Sequence, residues 1–303
     1  MKPMLACDID PKKVIFPIIA QPKIDGVRAI DLGNGLTGRS LRKFNNLKLR
    51  EIHLPGVDGE LIVGHDPTIP SLCRDTTSAV NSIHREEYFT LIIFDYVTKS
   101  TWNKTYRDRM LALMESKIFE NEFKFLKLLI IPAKTIETLE DLIEYENRIL
   151  AEGYEGIIIR QPNSVYKFGR VNESGQNCCR IKRFLDSEAE VLAVVEGKRN
   201  TNIPTTNALG LIERSTHACG LEPNGMVGSL ICRDIHSGKQ ITVSPGRMPH
   251  STRKFFWEHQ DEIVGKTVKY KFFGYGIKDL PRSPTFQNFR ADVDIDTTEN
   301  RNG

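Results

Sequence analysis

The chain has 303 residues, 40% hydrophobic and 27% charged, a balance that suits a folded globular protein of one or two domains and argues against bulk disorder. No apolar run approaches the ~18 residues of a membrane-spanning helix, and a formal charge of +3 permits a nucleic-acid partner without requiring one. Six cysteines without C-x-x-C spacing or paired histidines argue against a zinc site and a disulfide framework, so free thiols in a reducing, intracellular compartment, cytoplasmic or nuclear, are expected.

In chain order, KVIFPIIA, GVRAIDL and a GNG turn over residues 33–35 predict short strands, with a hairpin carrying Lys23 near its start. PGVDGELIV (55–63) and FTLIIFDYV (89–97) read as buried strands. Between them DTTSAVNSIHREE (75–87) predicts a short helix capped by Asp75 or Thr76, and YRDRMLALMESKIFENE (106–122) a longer one. TLEDLIEYENRILAEG is the clearest helix: Thr138 caps it, Leu139, Leu142, Ile143, Ile149 and Leu150 form one face, and Gly153 ends it. The strand GIIIR follows, leaving Glu155 where a helix turns into a strand.

Beyond residue 187 the texture changes to five short strands and one helix, RKFFWEHQDEI. That pattern fits a small Greek-key barrel such as an OB-fold. The stretch 198–225, polar and rich in Asn, Thr and Gly, is much longer than an ordinary connection and is expected to be a mobile or functional loop. The last eight residues read as a frayed tail.

The chemistry is concentrated in KIDGVR (23–28). A lone lysine among apolar residues commonly lays its stem on the core and extends its ammonium to water. Here it is followed by Asp25, Gly26 and Arg28. A nucleophilic lysine must be neutral, and with a reference pKa near 10.4 only about 0.1 percent is neutral at physiological pH, so the site must depress it. Arg28, Lys182 or a bound divalent cation can supply the positive charge that does so. Gly26 allows a tight turn and close approach to a ligand, and Asp25 can orient the amine or the waters of a metal ion.

The ordered series KIDGVR (23–28), TGRS (37–40), DGEL (58–61), FDY (94–96), EGIIIR (155–160), RIK (180–182) and PRSPTFQNFR (281–290) resembles the motif set of the covalent nucleotidyltransferases, specifically the ATP-dependent DNA ligases. DTTSAV, YKFGR, LDSEAEVL and RSTH bring it nearest to the small viral members, so a virus-encoded chain is expected. The likeness runs from about residue 20 to 292. It implies an α+β protein: a nucleotidyltransferase (adenylation) domain over 1–187, built of antiparallel sheets and helices, and an OB-fold domain over 188–295. Residues 198–225 correspond to a latch that closes around duplex DNA, and 296–303 to a flexible tail.

The resemblance implies that Lys23 attacks ATP to form a lysyl-AMP intermediate with Mg2+ or Mn2+. AMP then passes to the 5′-phosphate of a nick in duplex DNA, and the 3′-hydroxyl displaces it. Arg180 and Lys182 match the pair flanking the α-phosphate, with Arg180 a departure from the usual lysine. Asp25, Glu60 and Glu155 are the expected metal-side carboxylates, with Glu60 and Glu155 also near the ribose. Phe94 would stack on adenine, although its apolar run suits a core residue too. Arg39 and Arg170 match positions near the nick phosphates or ATP, solvated arginines being the ordinary alternative. Arg282 and Arg290 match the pyrophosphate-orienting end, where Arg290 and Asp292 keep the family core and Val293 stands where many relatives have lysine. Lys198, Arg199 and Arg214 would meet DNA phosphates from the latch. Around Leu41 and Cys73 the side chains are smaller than the aromatics of the nearest small viral members, so nick geometry is expected to be sensed differently. Only 22 residues precede Lys23, so a monomer is expected to encircle DNA with its two domains and the loop.

The alternatives are an mRNA-capping guanylyltransferase, an RNA ligase, and an inactive nick-binding protein. RSPTFQNFR and the latch-like loop favour the DNA enzyme, and Lys23, Glu60, Glu155 and Lys182 together argue against an inactive one.

Overall fold

The computed structural model describes residues 2–274 and 280–290. Asp292, Val293, the domain end at 295 and the tail from 296 lie outside the described residues. The chain divides into two compact units, Met1–Lys182 with Ala208–Leu211, and Arg183–Asn207 with Ile212–Gly303. The division precedes residue 187 because the first strand of the second unit, Leu185–Asn200, begins on the exposed Leu185 and Asp186, which show no buried alternation.

In the first unit, a five-stranded sheet runs in the order Cys7–Asp8, Cys179–Ile181, Ile157–Arg160, Ile18–Pro22, Lys134–Ile136. A four-stranded sheet runs Val27–Ile30, Val57–Val63, Phe89–Tyr96, Leu126–Ile130. Most ladders are antiparallel as expected, but Cys7–Asp8 with Cys179–Ile181, Met4–Leu5 with Gly169–Arg170, and Phe89–Tyr96 with Leu126–Ile130 are parallel. The predicted hairpin at Lys23 is not formed. Ile18–Pro22 and Val27–Ile30 belong to different sheets, and the GNG turn closes only an isolated bridge from Ile30 to Thr37. Lys23 therefore sits on the crossing between the sheets.

Leu61, Phe89, Leu91 and Ile93 bury one face of the four-stranded sheet against Leu49, Ala79 and Leu113, and Ile18, Ala20, Ile157 and Ile159 pack on Leu142 and Ile149. Each large apolar side chain so buried contributes roughly 1.5–3 kcal/mol. The helix Leu139–Ala151 is capped by Thr138, whose side chain accepts from the Asp141 amide, and Gly153 follows it in the left-handed region at φ 94°. Its buried stripe is Leu142, Tyr145, Glu146 and Ile149, whereas Ile143 is exposed.

The helix expected over 75–87 is Leu72–Asn81. Ser71 stands at its N-cap and donates to the Asp75 carboxylate at 2.5 Å, which puts Asp75 inside the first turn. The longer helix ends at Met114 because the Ser116 hydroxyl donates back to the Leu113 carbonyl, and a separate 3-10 turn, Lys117–Glu120, follows.

In the second unit, the sheet order is Gln240–Val243, Leu221–Asp234, Leu185–Asn200, Thr267–Phe272, Thr285–Phe289. A Ser244–Thr285 bridge joins the two ends, so the sheet closes into the OB barrel. Val191, Leu230, Val243, Tyr270 and Phe286 fill it, with Phe256 of the helix His250–Glu258. The first two strands are long, 16 and 14 residues, and pair out to Asn200 and Leu221. About half of the expected loop is thus strand, and its centre holds a small hairpin, Pro204–Thr206 with Ile212–Arg214.

Candidate active site

Strand register builds the site. Pro22 pairs with Ile157, and Ile157 pairs with Ile181. Lys23 follows Pro22, Glu155 stands just before Ile157, and Lys182 follows Ile181, so three residues far apart in sequence emerge at one sheet edge. The Lys23 amide donates to the Gly156 carbonyl at 2.8 Å. The Lys23 amine donates to Glu155 Oε2, and Lys182 Nζ donates to Glu155 Oε1 at 3.1 Å. Burial pushes the Glu155 carboxyl up, but the two lysines outweigh it and hold the pKa below its ordinary value. Burial lowers that of Lys182, with Lys23 and Arg180 adding to it against the pull of Glu155.

A cavity of about 410 Å3 opens beside Lys23, and Arg28, Glu60, Phe94, Arg39, Arg170 and Arg180 also line it. Arg28 and Glu60 face each other as register partners. Burial dominates at Glu60 and pushes its carboxyl up to about 7, against Arg28 and Lys23. Arg28 is committed to the protein: its Nε and Nη2 donate to the two oxygens of Asp58 at 2.5 Å each, and its Nη1 to the Met4 carbonyl at 3.3 Å. Burial alone would lower the guanidinium, and Asp58 reverses this and raises it.

Phe94 owes its position to a β-bulge. Asp58 pairs with Asp95 and Gly59 with Ile93, which leaves Phe94 the extra residue, and bulges re-aim side chains. The Arg28 guanidinium lies 4.8 Å from its ring centroid and that of Arg160 5.5 Å. Gly26 has an internal reason: a Cβ there would lie 2.5 Å from the Leu61 carbonyl oxygen.

Several site residues carry no motif. Gln21 is two residues before Lys23 on the strand Ile18–Pro22, and that period-two spacing was the available signal. Its Nε2 donates to the Tyr106 hydroxyl at 2.6 Å, and that hydroxyl donates to the Phe94 carbonyl at 3.0 Å. This fixes the amide and leaves Oε1 buried and without a hydrogen-bond partner, on a residue that lines the cavity. Arg160 behind it has Nε without a hydrogen bond. The segment Met4–Ala6 forms another wall, with Met4 N donating to the Tyr166 hydroxyl at 2.7 Å and Tyr166 donating to Asp58 at 3.0 Å.

Asp25, Glu155 and Lys182 are not among the cavity-lining residues. Among the described residues no three His, Cys, Asp or Glu side chains converge as a direct ligand set, so a place for Asp25, Glu60 and Glu155 beside a metal's waters remains a proposal. Glu155 is held by two lysines, and Glu60 is partly buried with its pKa pushed up to about 7. Arg282, Arg290, Lys198, Arg199 and Arg214 lie in the second unit. Arg290 Nε donates to Glu188 at 2.5 Å, Arg199 pairs with Glu222 at 3.2 Å, Arg214 donates to the Asn202 carbonyl, Lys198 is exposed, and the Arg282 backbone pairs with Phe273 and Gly274.

With this geometry in view, a family model described as the ATP dependent DNA ligase domain matches residues 3–182. The chain belongs to the ATP-dependent DNA ligase family. A second model, the DNA ligase OB-like domain, matches residues 222–290 of this ligase-family chain. The DNA ligase of African swine fever virus (isolate Pig/Kenya/KEN-50/1950) is 24% identical over 200 residues, 61% of the chain and 46% of that protein, so the chain spans about half the length of that relative. The crystal structure of Chlorella virus DNA ligase-adenylate is similar at 26% identity and TM-score 0.52, covering 96% of this chain and 99% of that one. A structure from a study of Lig E DNA ligases shares the fold, with TM-score 0.72 at 22% identity, covering 96% and 99% of the two chains. The adenylation and OB domains of this ligase-family chain are thus the expected pair. Family membership implies the use of ATP and a divalent metal.

Proposed function

We propose that the protein seals 3′-OH/5′-phosphate nicks in duplex DNA, with Lys23 as the nucleophile that carries AMP. The observation that carries this reading is Lys23 in the lining of a cavity of about 410 Å3, its amine on Glu155, which also accepts from Lys182, the three brought together by strand register. In the first step Lys23 Nζ bonds to the α-phosphorus of ATP and the bond to pyrophosphate breaks. Next, a 5′-phosphate oxygen bonds to that phosphorus and the lysine leaves. Finally, the 3′-hydroxyl attacks the 5′-phosphorus and AMP leaves. Each step builds negative charge on phosphorus-bound oxygens, which Lys182 and Arg180 are suited to stabilise from fixed positions. A divalent ion would add charge neutralisation there. The protein offers it no chelating set among the described residues, so it would enter with the nucleotide's phosphates.

Phe94 supplies the apolar face on which a base stacks. Arg39 and Arg170 are read as contacts to the nick phosphates, Lys198, Arg199 and Arg214 as contacts of the hairpin-bearing latch with duplex DNA, and Arg282 and Arg290 as pyrophosphate contacts.

Incubation with α-labelled ATP and magnesium, then with nicked duplexes, tests the proposal. The label is expected on Lys23 from ATP and not from GTP, and then on the 5′ end of the nick before sealing. Label transfer by Lys23→Ala, or labelling by GTP alone, would overturn it.

A further inference from the structure

The family's usual lysine is replaced by Arg180, and a guanidinium, unlike an ammonium, must be presented edge-on to be effective. The structure holds a counterpart for it. Cys7–Asp8 runs parallel to Cys179–Ile181 with Asp8 and Arg180 as register partners. Arg180 Nε donates to Asp8 Oδ1 at 2.5 Å and Nη2 to Oδ2 at 3.2 Å, a two-point grip along one edge of the fork. The Nη1 end remains for a ligand, and Arg180 lines the cavity.

The pair is not there for the core, since the Asp8 side chain is 62% exposed and that of Arg180 30%, and such pairs add little to stability. The hydrogen bonds from Arg180 hold the Asp8 carboxyl below its ordinary value against the opposing effect of burial, and Lys182 and Arg170 add to the same field. The same amino-terminal segment also holds other arginines of the site: the Met4 carbonyl accepts from Arg28 and the Ala6 carbonyl from Arg170 at 3.4 Å.

We infer that Asp8 is a positioning residue, which holds Arg180 so that the end of its guanidinium addresses the α-phosphate. This rests on the ligase reading above and assigns a task to a residue outside every motif. Its consequence is that Arg180 serves where lysine is usual because Asp8 supplies the orientation that lysine does not need.

The test is single-turnover transfer of label from α-labelled ATP to Lys23, measured over ATP concentration for the parent, Asp8→Ala, Asp8→Glu, Arg180→Lys and the double variant D8A/R180K. Asp8→Ala is expected to lower the maximal rate about tenfold, with the half-saturating ATP concentration within about twofold of the parent, because the misplaced cation is missed mainly in the transition state. Asp8→Glu should recover part of the loss. In the Arg180→Lys background, removing Asp8 should cost less than about twofold, since the two residues act as one unit. A maximal rate for Asp8→Ala within twofold of the parent overturns the inference. So does an undiminished tenfold cost in the Arg180→Lys background, the result expected if Asp8 merely supports the fold. A parent that takes no label refutes the ligase reading itself, and the inference with it.

Discussion

Two ionic clusters of the first unit differ in kind. Lys23, Glu155 and Lys182 are partly exposed, with side-chain accessibilities of 21%, 17% and 12%. Arg109 and Asp95 are fully buried at 0%: Arg109 Nε and Nη2 donate to Asp95 at 2.6 and 2.9 Å, Nη1 donates to the Lys104 and Ser164 carbonyls, and Arg160 Nη1 lies 3.5 Å from the same carboxylate. The first cluster is a single, partly exposed carboxylate shared by two amines, one of them on a cavity-lining residue, so its partners can be exchanged for a ligand. The second is dry, with Arg109 gripped from three elements, so it can only hold the Phe94 strand in place. Catalytic charge must be able to change partners, whereas scaffold charge must not.

The comparison breaks most sharply at its two centres. Lys23→Ala should remove all covalent label from α-labelled ATP, read by gel and by mass spectrometry of the AMP adduct, while the melting temperature stays close to that of the parent. Arg109→Ala should do the reverse: taking the two-point partner from the buried Asp95, which keeps only the longer Arg160 contact as an ion pair, costs about 3–5 kcal/mol, read by denaturant unfolding, with activity lost only as the fold is lost. Equal destabilisation by the two substitutions would erase the distinction.

Glu60 sharpens the comparison through pH. Its folded-state pKa of about 7 lies above the ordinary 4.5, so the folded chain binds this proton more tightly than the unfolded one. The corresponding stability is complete below about pH 4.5 and is lost as pH rises through about 7. Glu60→Gln should therefore flatten the stability profile across that window, by roughly 1–3 kcal/mol between its ends. An unchanged profile would mean that Glu60 binds its proton equally well in the folded and unfolded chain. On the metal side, EDTA should stop label transfer, yet calorimetry of Mg2+ into the nucleotide-free protein should show no strong site; a tight Mg2+ site without ATP would contradict the dispersed carboxylates. The smallest effect belongs to the latch. Arg199→Ala should weaken binding of nicked duplex slightly and lower the salt slope by about one, because a single phosphate contact is lost.

Motifs made much of the site legible. KIDGVR, DGEL, EGIIIR and RIK named Lys23, Arg28, Glu60, Glu155, Arg180 and Lys182 because their chemistry demands particular residue types at short spacing. Asp8 and Tyr166 were invisible because their partners, Arg180 and Asp58, lie more than a hundred residues away in sequence and meet through ladders. The helix at 139–151 was readable from its cap and period, yet its buried stripe shifted to include Tyr145 and Glu146. The hairpin at Lys23 failed because alternation marks a strand and not its neighbour.

Composition, periodicity and local motifs are properties of neighbouring residues, and they were enough for the two-part architecture, the strands of the barrel and the choice of Lys23 as the candidate nucleophile. Which carboxylate grips which cation is a property of register between distant strands. That pairing, the bulge that exposes Phe94 and the burial that moves Glu60 exist only once the sheets have packed, because each depends on the low-dielectric surroundings and fixed distances that packing creates.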